Sequence, residues 1–419
     1  MFLRRIVLEN VRSLRDIDLP VQRGDGDVRE WTFLLGENGT GKTTLLRSIA
    51  LVLAGSDALP ELLGNPADWV RRDASQARIW AELVTADGEP RSAELVIGAE
   101  DTIRQVYARN AERLEQLDAA FEHTPRSYFT VGYGVSRRPA AEEDKAVGPG
   151  ASLFRNVRAR SVATLFSPHA SLTSLEAWAT DLDYRREGGY QIVRDAINAL
   201  LPGIALATIE RERRELVFDT PDGRIPYRLL SEGYQNVAAW TGDLLYQITN
   251  IFEDYRDPFS ARGLLLIDEI DLHLHPIWQR ELMRFVETRF PNFQVVATTH
   301  SPLTVHQAQE GELFFLRRES PEEAATLHAY GGAPRDLMLH QLLTSPIFGL
   351  TTLDSRPVEE MKDEYRRLRD ARALSPADEA RLSKLAVELE DLPDWSEGIE
   401  GQAEIKKLMD DIRSQLRGG

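Results

Sequence analysis

Gly36-Glu37-Asn38-Gly39-Thr40-Gly41-Lys42-Thr43 is the stretch that decides how this chain folds. The eight residues fit G-x-x-x-x-G-K-[ST]. They lie between an apolar run, Trp31-Thr32-Phe33-Leu34-Leu35, and a segment with Leu45, Leu46, Ile49, Ala50 and Leu53 at helical spacing, closed by Gly55. A buried strand, a glycine turn and an amphipathic helix are the context that gives the pattern its meaning. The glycines let backbone N–H groups wrap phosphate oxygens. Lys42 places a positive charge on the β and γ oxygens, and the Thr43 hydroxyl can ligate Mg2+. The helix N-terminus adds partial positive charge. Asn38, Gly39, Thr40, Gly41, Lys42, Thr43 and Thr44 are the candidate ATP-binding residues.

Two further strands end in chemistry. Leu264-Leu265-Leu266-Ile267 runs into Asp268-Glu269. Downstream of a phosphate loop, Asp268 would hold Mg2+ together with Thr43, and Glu269 would polarise the attacking water. A second buried strand, 294–299, leads to Thr298-Thr299-His300-Ser301-Pro302. A lone histidine is usually structural, but one at the end of a parallel strand beside a nucleotide site is not in a neutral position. Upstream, Leu230-Ser231-Glu232-Gly233-Tyr234-Gln235-Asn236 opens a helix over 232–252, so Ser231 and Gly233 would point a hydroxyl and backbone N–H groups at an anion, with an ordinary N-cap serine and a glycine for close packing as the alternative.

Outside these motifs the pattern is mixed. Short strands are expected through Leu3, Ile6 and Leu8, through Ile17 and Leu19, and at 78–84 and 92–97, the last two joined by a hairpin at Asp87-Gly88. A charged helix is expected at 104–121 and a strand at 128–133. Residues 137–150 read as a loop, 151–201 as helical, 204–229 as β with a turn at Pro221-Asp222-Gly223, and 335–419 as helical. Buried strands separated by helices mean a parallel sheet.

Composition sets the outer limits. The chain has 419 residues, with 50 Lys and Arg against 67 Asp and Glu, a net charge of −17. The whole protein is therefore no bulk polyanion binder, although a local groove could bind DNA. No run approaches a membrane span, and the N-terminus has neither a signal nor a transit pattern. Cysteine is absent, which excludes disulfides and thiol catalysis and fits a cytoplasmic location.

The order of these motifs resembles the ATP-binding-cassette ATPases. Ser231 and Gly233 match the signature that reaches the γ-phosphate held by a second subunit, Asp271 the D-loop aspartate at the dimer interface, and His300 the switch histidine. Glu9-Asn10-Val11-Arg12-Ser13 resembles the Asn-Phe-Arg-Ser segment of SMC-type ATPases, where Arg12 and Ser13 would touch nucleotide. Ile270-Asp271-Leu272-His273-Leu274-His275-Pro276 is similar to the form found in soluble RecF-like, OLD-like and prokaryotic-defence ATPases. His273 and His275 also invite a metal reading, with interface or helix-start packing as the alternative. The family's glutamine loop has no match at 128–134; Gln76, Gln105 or another group would have to serve.

The resemblance implies an α/β cassette-type head, a mixed to parallel sheet with flanking helices. It would divide into an N-terminal lobe at 1–135, an inserted helical lobe at 136–203, a C-terminal head lobe at 204–334 and a helical extension at 335–419. Ser231 follows Gly36 by 195 residues, too few for a long coiled-coil arm, and the tail lacks the strand–acid pattern of a Toprim nuclease. These features are similar to the ATPases of Septu and retron-associated phage-defence systems, which work beside a separate nuclease. Catalysis would fall to Glu269, His300 and Lys42, with ATP and Mg2+ as cofactors and a head-to-tail homodimer as the working form. Two alternatives stay open: a RecF- or SMC-like DNA repair or maintenance ATPase, and an ATP-held oligomeric scaffold with little turnover. Arg137-Arg138, Arg155, Arg158, Arg160, Arg185-Arg186, Arg211, Arg213 and Arg214 would track DNA if they shared a face, or form a solvated surface if not.

Overall fold

A computed structural model of the chain describes residues 2–22, 28–85, 88–123, 129–137, 154–201, 203–252, 257–272, 274–320, 323–371 and 374–390. It divides into two units, Met1–Leu342 and Leu343–Gly419.

In chain order the first unit contains β1 (Phe2–Val11), β2 (Leu14–Pro20), β3 (Trp31–Gly36), α1 (Lys42–Leu53), α2 (Leu59–Leu62), β4 (Gln76–Val84), β5 (Pro90–Gly98), α3 (Ile103–His123) and β6 (Thr130–Tyr133). There follow α4 (Val157–Phe166), α5 (Leu175–Arg185), α6 (Gly189–Leu200), β7 (Ala205–Glu210), β8 (Glu215–Thr220), β9 (Gly223–Pro226) and α7 (Glu232–Ile251). The head is completed by β10 (Gly263–Ile267), α8 (Pro276–Arg289), β11 (Phe293–Thr298), α9 (Pro302–Val305), β12 (Leu313–Arg317) and β13 (Thr326–Ala329).

The central sheet runs β13-β12-β3-β11-β10-β6. All neighbours are parallel except β12 and β13. Residues 31–35 of β3 and the whole of β10 and β11 are buried, as expected for apolar runs covered on both faces. This order makes the site. In register, Phe33 lies beside Ala297, and Ala297 beside Ile267. The carboxyl ends of β3, β11 and β10 therefore finish side by side, where open α/β sheets bind ligands. Strands β12 and β13 have no counterpart in the sequence reading.

A second sheet, β2-β1-β4-β5, is antiparallel throughout. The expected hairpin is present, with Gly88 in the left-handed region at φ 84° and Asp87 outside the described residues. Asn110 on α3 fastens that helix to β5 by accepting from Val96 N at 2.7 Å and donating to Val96 O at 2.8 Å.

The stretch read as helical, 151–201, holds three helices within its described residues, 154–201. Helix α4 begins at an Asn156 cap, α5 at a Ser174 cap, and α6 after Gly188 at φ 76°. Helix α4 covers the open edge of β6: Ser161 Oγ donates to Thr130 O at 2.8 Å, and Thr164 Oγ1 to Gly132 O at 3.1 Å. The remaining β segment is the three-stranded sheet β7-β8-β9.

Helix α10 (Leu339–Thr344) spans the division between the units. In the second unit, α11 (Arg356–Arg369) and α12 (Pro376–Glu390) are tied by a bidentate Arg381–Glu364 pair at 2.6 and 3.1 Å. The helical expectation for 391–419 lies outside the described residues. Among the described residues no helix is long and apolar enough to cross a membrane.

Candidate functional site

The loop 36–43 turns from β3 into α1 under tight steric control. Gly36 has φ 148°, and a Cβ there would lie 2.5 Å from Leu316 O and 2.8 Å from Thr40 Oγ1. Gly41 caps α1 at φ 108°, and a Cβ there would meet Leu14 at 2.6 Å. Only glycine fits either position. Thr40 is buried and donates to Glu37 O at 2.9 Å, which closes the loop on itself. Arg318 Nη2 donates to Gly39 O at 3.0 Å from the outside. Asn38 and Gly39 face solvent, and Thr44 is buried in the first turn of α1.

Lys42 is 7% exposed and its Nζ donates to Gly36 O at 2.7 Å and Glu37 O at 3.0 Å. Burial lowers the ammonium below its ordinary value, and Asp268 and Glu269 offset part of that. A positive charge is thus folded into the mouth of a loop with exposed glycine backbone.

Thr43 Oγ1 donates to Asp268 Oδ2 at 2.7 Å. The other oxygen, Oδ1, accepts from Thr298 Oγ1 at 2.6 Å. The same Thr298 hydroxyl accepts from Glu269 N at 2.7 Å. One chain of bonds therefore joins the glycine loop, the end of β11 and both acids after β10. A hydroxyl and a carboxylate in contact are hard oxygen donors suited to Mg2+. The backbone of Glu269 is left-handed at φ 47°, unusual for a residue with a side chain. Its carbonyl accepts from Arg137 Nη2 at 2.6 Å and from Leu272 N at 3.0 Å.

Asp271 follows in the same turn. Burial raises its carboxyl, a bond from Thr299 pulls it down, and Oδ1 is buried without a hydrogen-bond partner. His300 lies exposed at the rim. Partial desolvation and then Lys42 lower its ring below the ordinary histidine value, against the opposing pull of Glu269, Asp271 and Asp268. His275 is a helix cap, its Nδ1 accepting from Ile277 N at 3.4 Å, and His273 lies outside the described residues.

Arg12 sits in the turn between β1 and β2 at φ 53°. Its guanidinium lies 4.7 Å over the Trp69 ring, and Nε donates to Asp68 O at 3.1 Å. Burial and then Arg47 lower its pKa. Its neighbour Ser13 lies beside the loop, 3.2 Å from where a Gly41 Cβ would stand. Ser231 and Gly233 stand apart from the bond chain just described. Ser231 is exposed at the start of α7 and its side chain makes no cap bond. Exposed Leu229 and Ile277 flank that end, where Tyr234 and Trp278 meet edge to face at 6.0 Å.

Thr298, Tyr133 and Arg137 are the groups that sequence reasoning missed. The main chain of Tyr133 accepts from Asp268 N at 2.8 Å, while its hydroxyl donates to Asp243 Oδ2 on α7 at 3.0 Å. Of the glutamines considered, Gln105 caps α3 through Thr102 and Gln76 opens β4, exposed. Two arginines of the DNA reading are already engaged: Arg185 with Asp181, and Arg211 with Asp183 at 2.7 Å. Arg138 lies outside the described residues.

A glycine loop between a central parallel strand and a helix, with its hydroxyl already on the acid of a second strand, defines a P-loop nucleotide-binding head. The chain belongs to the family described as "AAA domain, putative AbiEii toxin, Type IV TA system", whose model matches residues 32–306. It is 27% identical over 366 residues to the Septu protein PtuA of Bacillus mycoides (strain KBAB4), covering 87% of this chain and 47% of that protein. It is 33% identical over 125 residues to the "Retron Ec83 probable ATPase" of Escherichia coli, covering 30% of this chain and 23% of that protein. To the OLD nuclease of Thermus scotoductus (strain ATCC 700910 / SA-01) it is 25% identical over 338 residues, covering 72% and 59%. The chain thus spans less than half the length of the first two relatives. Among solved structures it is similar to the SMC head domain from Thermotoga maritima, at 12% identity and a TM-score of 0.41, covering 79% of this chain and 99% of that one.

Proposed function

We propose that this chain binds Mg-ATP and hydrolyses it in a head-to-tail dimer. Its role would be that of a cytoplasmic ATPase regulator in bacterial anti-phage defence, controlling a separate nuclease. The observation that carries the reading is the bond chain Thr43–Asp268–Thr298–Glu269, because hydrolysis needs a metal-holding pair and a base fixed in one frame. Mg2+ supplies neutralisation of charge on the phosphate oxygens when bound. Thr43 and Asp268 would hold it, and Lys42 would leave the loop carbonyls for the β and γ oxygens. Glu269 accepts a proton from the attacking water as its oxygen bonds to the γ-phosphorus and the bond to the β–γ bridging oxygen breaks. His300 and Asp271 would complete the rim.

The dimer is supported by the uncapped Ser231 and by apolar Leu229 and Ile277 exposed beside it, a surface suited to cover by a second copy. In this reading 1–135 and 204–334 form the head, 136–203 the insert and 335–419 the extension. The defence role is carried over from the Septu and retron relatives. The test is Glu269→Gln. It keeps the backbone that Thr298 and Arg137 hold, so Mg-ATP should bind and lock the dimer while phosphate release stops. A wild-type chain without phosphate release, or a Glu269→Gln chain that stays monomeric at saturating Mg-ATP, would refute hydrolysis or the dimer respectively.

A further inference from the structure

Glu269 would do its work from a conformation that costs free energy to hold. Both of its main-chain polar groups are clamped by side chains, the N–H by Thr298 and the carbonyl by Arg137. The second clamp is unexpected, because Arg137 is 132 residues away in the chain and follows β6 rather than any acid-bearing strand. Strand β6 pairs directly with β10, so the three residues between Tyr133 and Arg137 are enough to bring a guanidinium to the turn after β10. It enters a cluster of three carboxylates, Asp268, Asp271 and Glu269, all of which act on its charge. Its Nη1 is buried without a partner, as is Asp271 Oδ1. A donor and an acceptor thus stay in hand for a polar group that arrives with nucleotide.

We propose that Arg137 is the positioning residue for Glu269, holding its main chain so that the carboxylate faces the attacking water. The inference rests on the hydrolytic reading of the site. Arginine suits the task because its planar fork can serve the Glu269 carbonyl and a second acceptor at once, while its charge does not titrate away.

The experiment compares wild type, Arg137→Ala and Arg137→Lys in three ways: Mg-ATP turnover, Mg-ATP binding, and hydrogen exchange of the peptide spanning 269–272 in nucleotide-free protein. Loss of alignment at a base costs on the order of 100-fold in rate. The expected result for Arg137→Ala is therefore about a 100-fold fall in kcat with KM within about threefold, since Lys42 and Thr43 are untouched. Exchange at Leu272, whose N–H bonds the same carbonyl, should quicken without nucleotide. Millimolar guanidinium should return part of the rate, and Arg137→Lys should fall between the two. Unchanged kcat and exchange would overturn the proposal. So would a loss confined to KM, or a loss that neither guanidinium nor lysine restores. If Arg137→Ala does not fold, Arg137→Gln, which keeps an amide donor, carries the same comparison. A wild-type chain inert toward Mg-ATP would overturn the hydrolytic reading and this inference together, whereas an active wild type with an equally active variant overturns the inference alone.

Discussion

Replacing Thr298 by valine removes one hydroxyl and nothing else, and that hydroxyl serves two partners. Thr298 is fully buried and Asp268 is 2% exposed, so neither lost bond is replaced by bulk water. The bond to the Asp268 carboxylate is worth ~1.5–3 kcal/mol and the one from Glu269 N about 1 kcal/mol. Valine is isosteric with threonine, so no cavity term is added. Asp268 keeps its contact with Thr43, which limits the sum to about 3 kcal/mol. For a unit the size of Met1–Leu342, the unfolding entropy is roughly 0.7 kcal/mol/K, so the melting temperature should fall by about 4 °C. Thr298→Ser keeps the hydroxyl and should lose less, through the missing methyl alone. Calorimetry of the nucleotide-free proteins reads the difference directly. Equal melting of Thr298→Val and wild type, or Thr298→Ser falling as far as Thr298→Val, would refute the reasoning. The same series followed by phosphate release should rank wild type above serine and serine above valine, because Glu269 N loses its anchor only in valine.

Lys42→Ala should weaken binding of a fluorescent ATP analogue by about 100-fold, ~2.7 kcal/mol, and unchanged affinity would dismiss the loop as the nucleotide site. Gly36→Ala should melt well below Gly39→Ala, because a Cβ at Gly36 meets Leu316 O at 2.5 Å while one at Gly39 meets nothing within 4 Å; the reverse order in a thermal scan would contradict the loop geometry. Burial raises the Asp243 carboxyl, and bonds from Thr173, Tyr133 and Gln247 only partly offset it. A raised folded value means stability that is full below the unfolded value and lost as pH rises through the folded one. Asp243→Asn cannot titrate, so its melting temperature relative to wild type should climb from acid to neutral pH; a difference flat with pH would show that Asp243 is not perturbed.

The parts of the site legible in the sequence are those whose chemistry is local. The glycine loop declares itself because three glycines, a lysine and a threonine must follow one another within eight residues. Asp268 and Glu269 are readable because an apolar run points at them. Thr298 ends a buried strand two residues before His300, but a parallel sheet read from sequence has no register, and only the observed pairing of Ala297 with Ile267 brings it to Asp268. Arg137 carried no local signal. It opens a loop-like stretch with both charge signs, and only the pairing of β6 with β10 brings it to this site. Strands β12 and β13 were missed for a similar reason. Leu313-Phe314-Phe315-Leu316 is short enough to belong to either a helix or a strand, and its fate is decided by the free edge of β3.

The two halves of the proposed catalytic centre differ in how finished they are. Within one chain Thr43, the Asp268 carboxylate, the Thr298 hydroxyl, the main chain of Glu269 and Arg137 are already bonded, and Lys42 is held at the loop mouth by carbonyls. The main-chain frame of that half is therefore set before nucleotide arrives, and Lys42 has to be released from its carbonyls. The Ser231 end is the opposite, with an exposed serine, an uncapped helix start and apolar side chains facing solvent. If another copy supplies the second half, as proposed, a site whose own half is framed in advance is best controlled at association. Regulation by a partner would then act on the approach of the two heads rather than on the geometry of either. Tyr133 gives such control a physical route, since its main chain holds Asp268 and its hydroxyl holds Asp243 on the helix that Ser231 begins. A displacement of α7 on docking would have to stretch that bond or carry Tyr133 with it, and in the second case the end of β6, Arg137 and the backbone of Glu269 move as one.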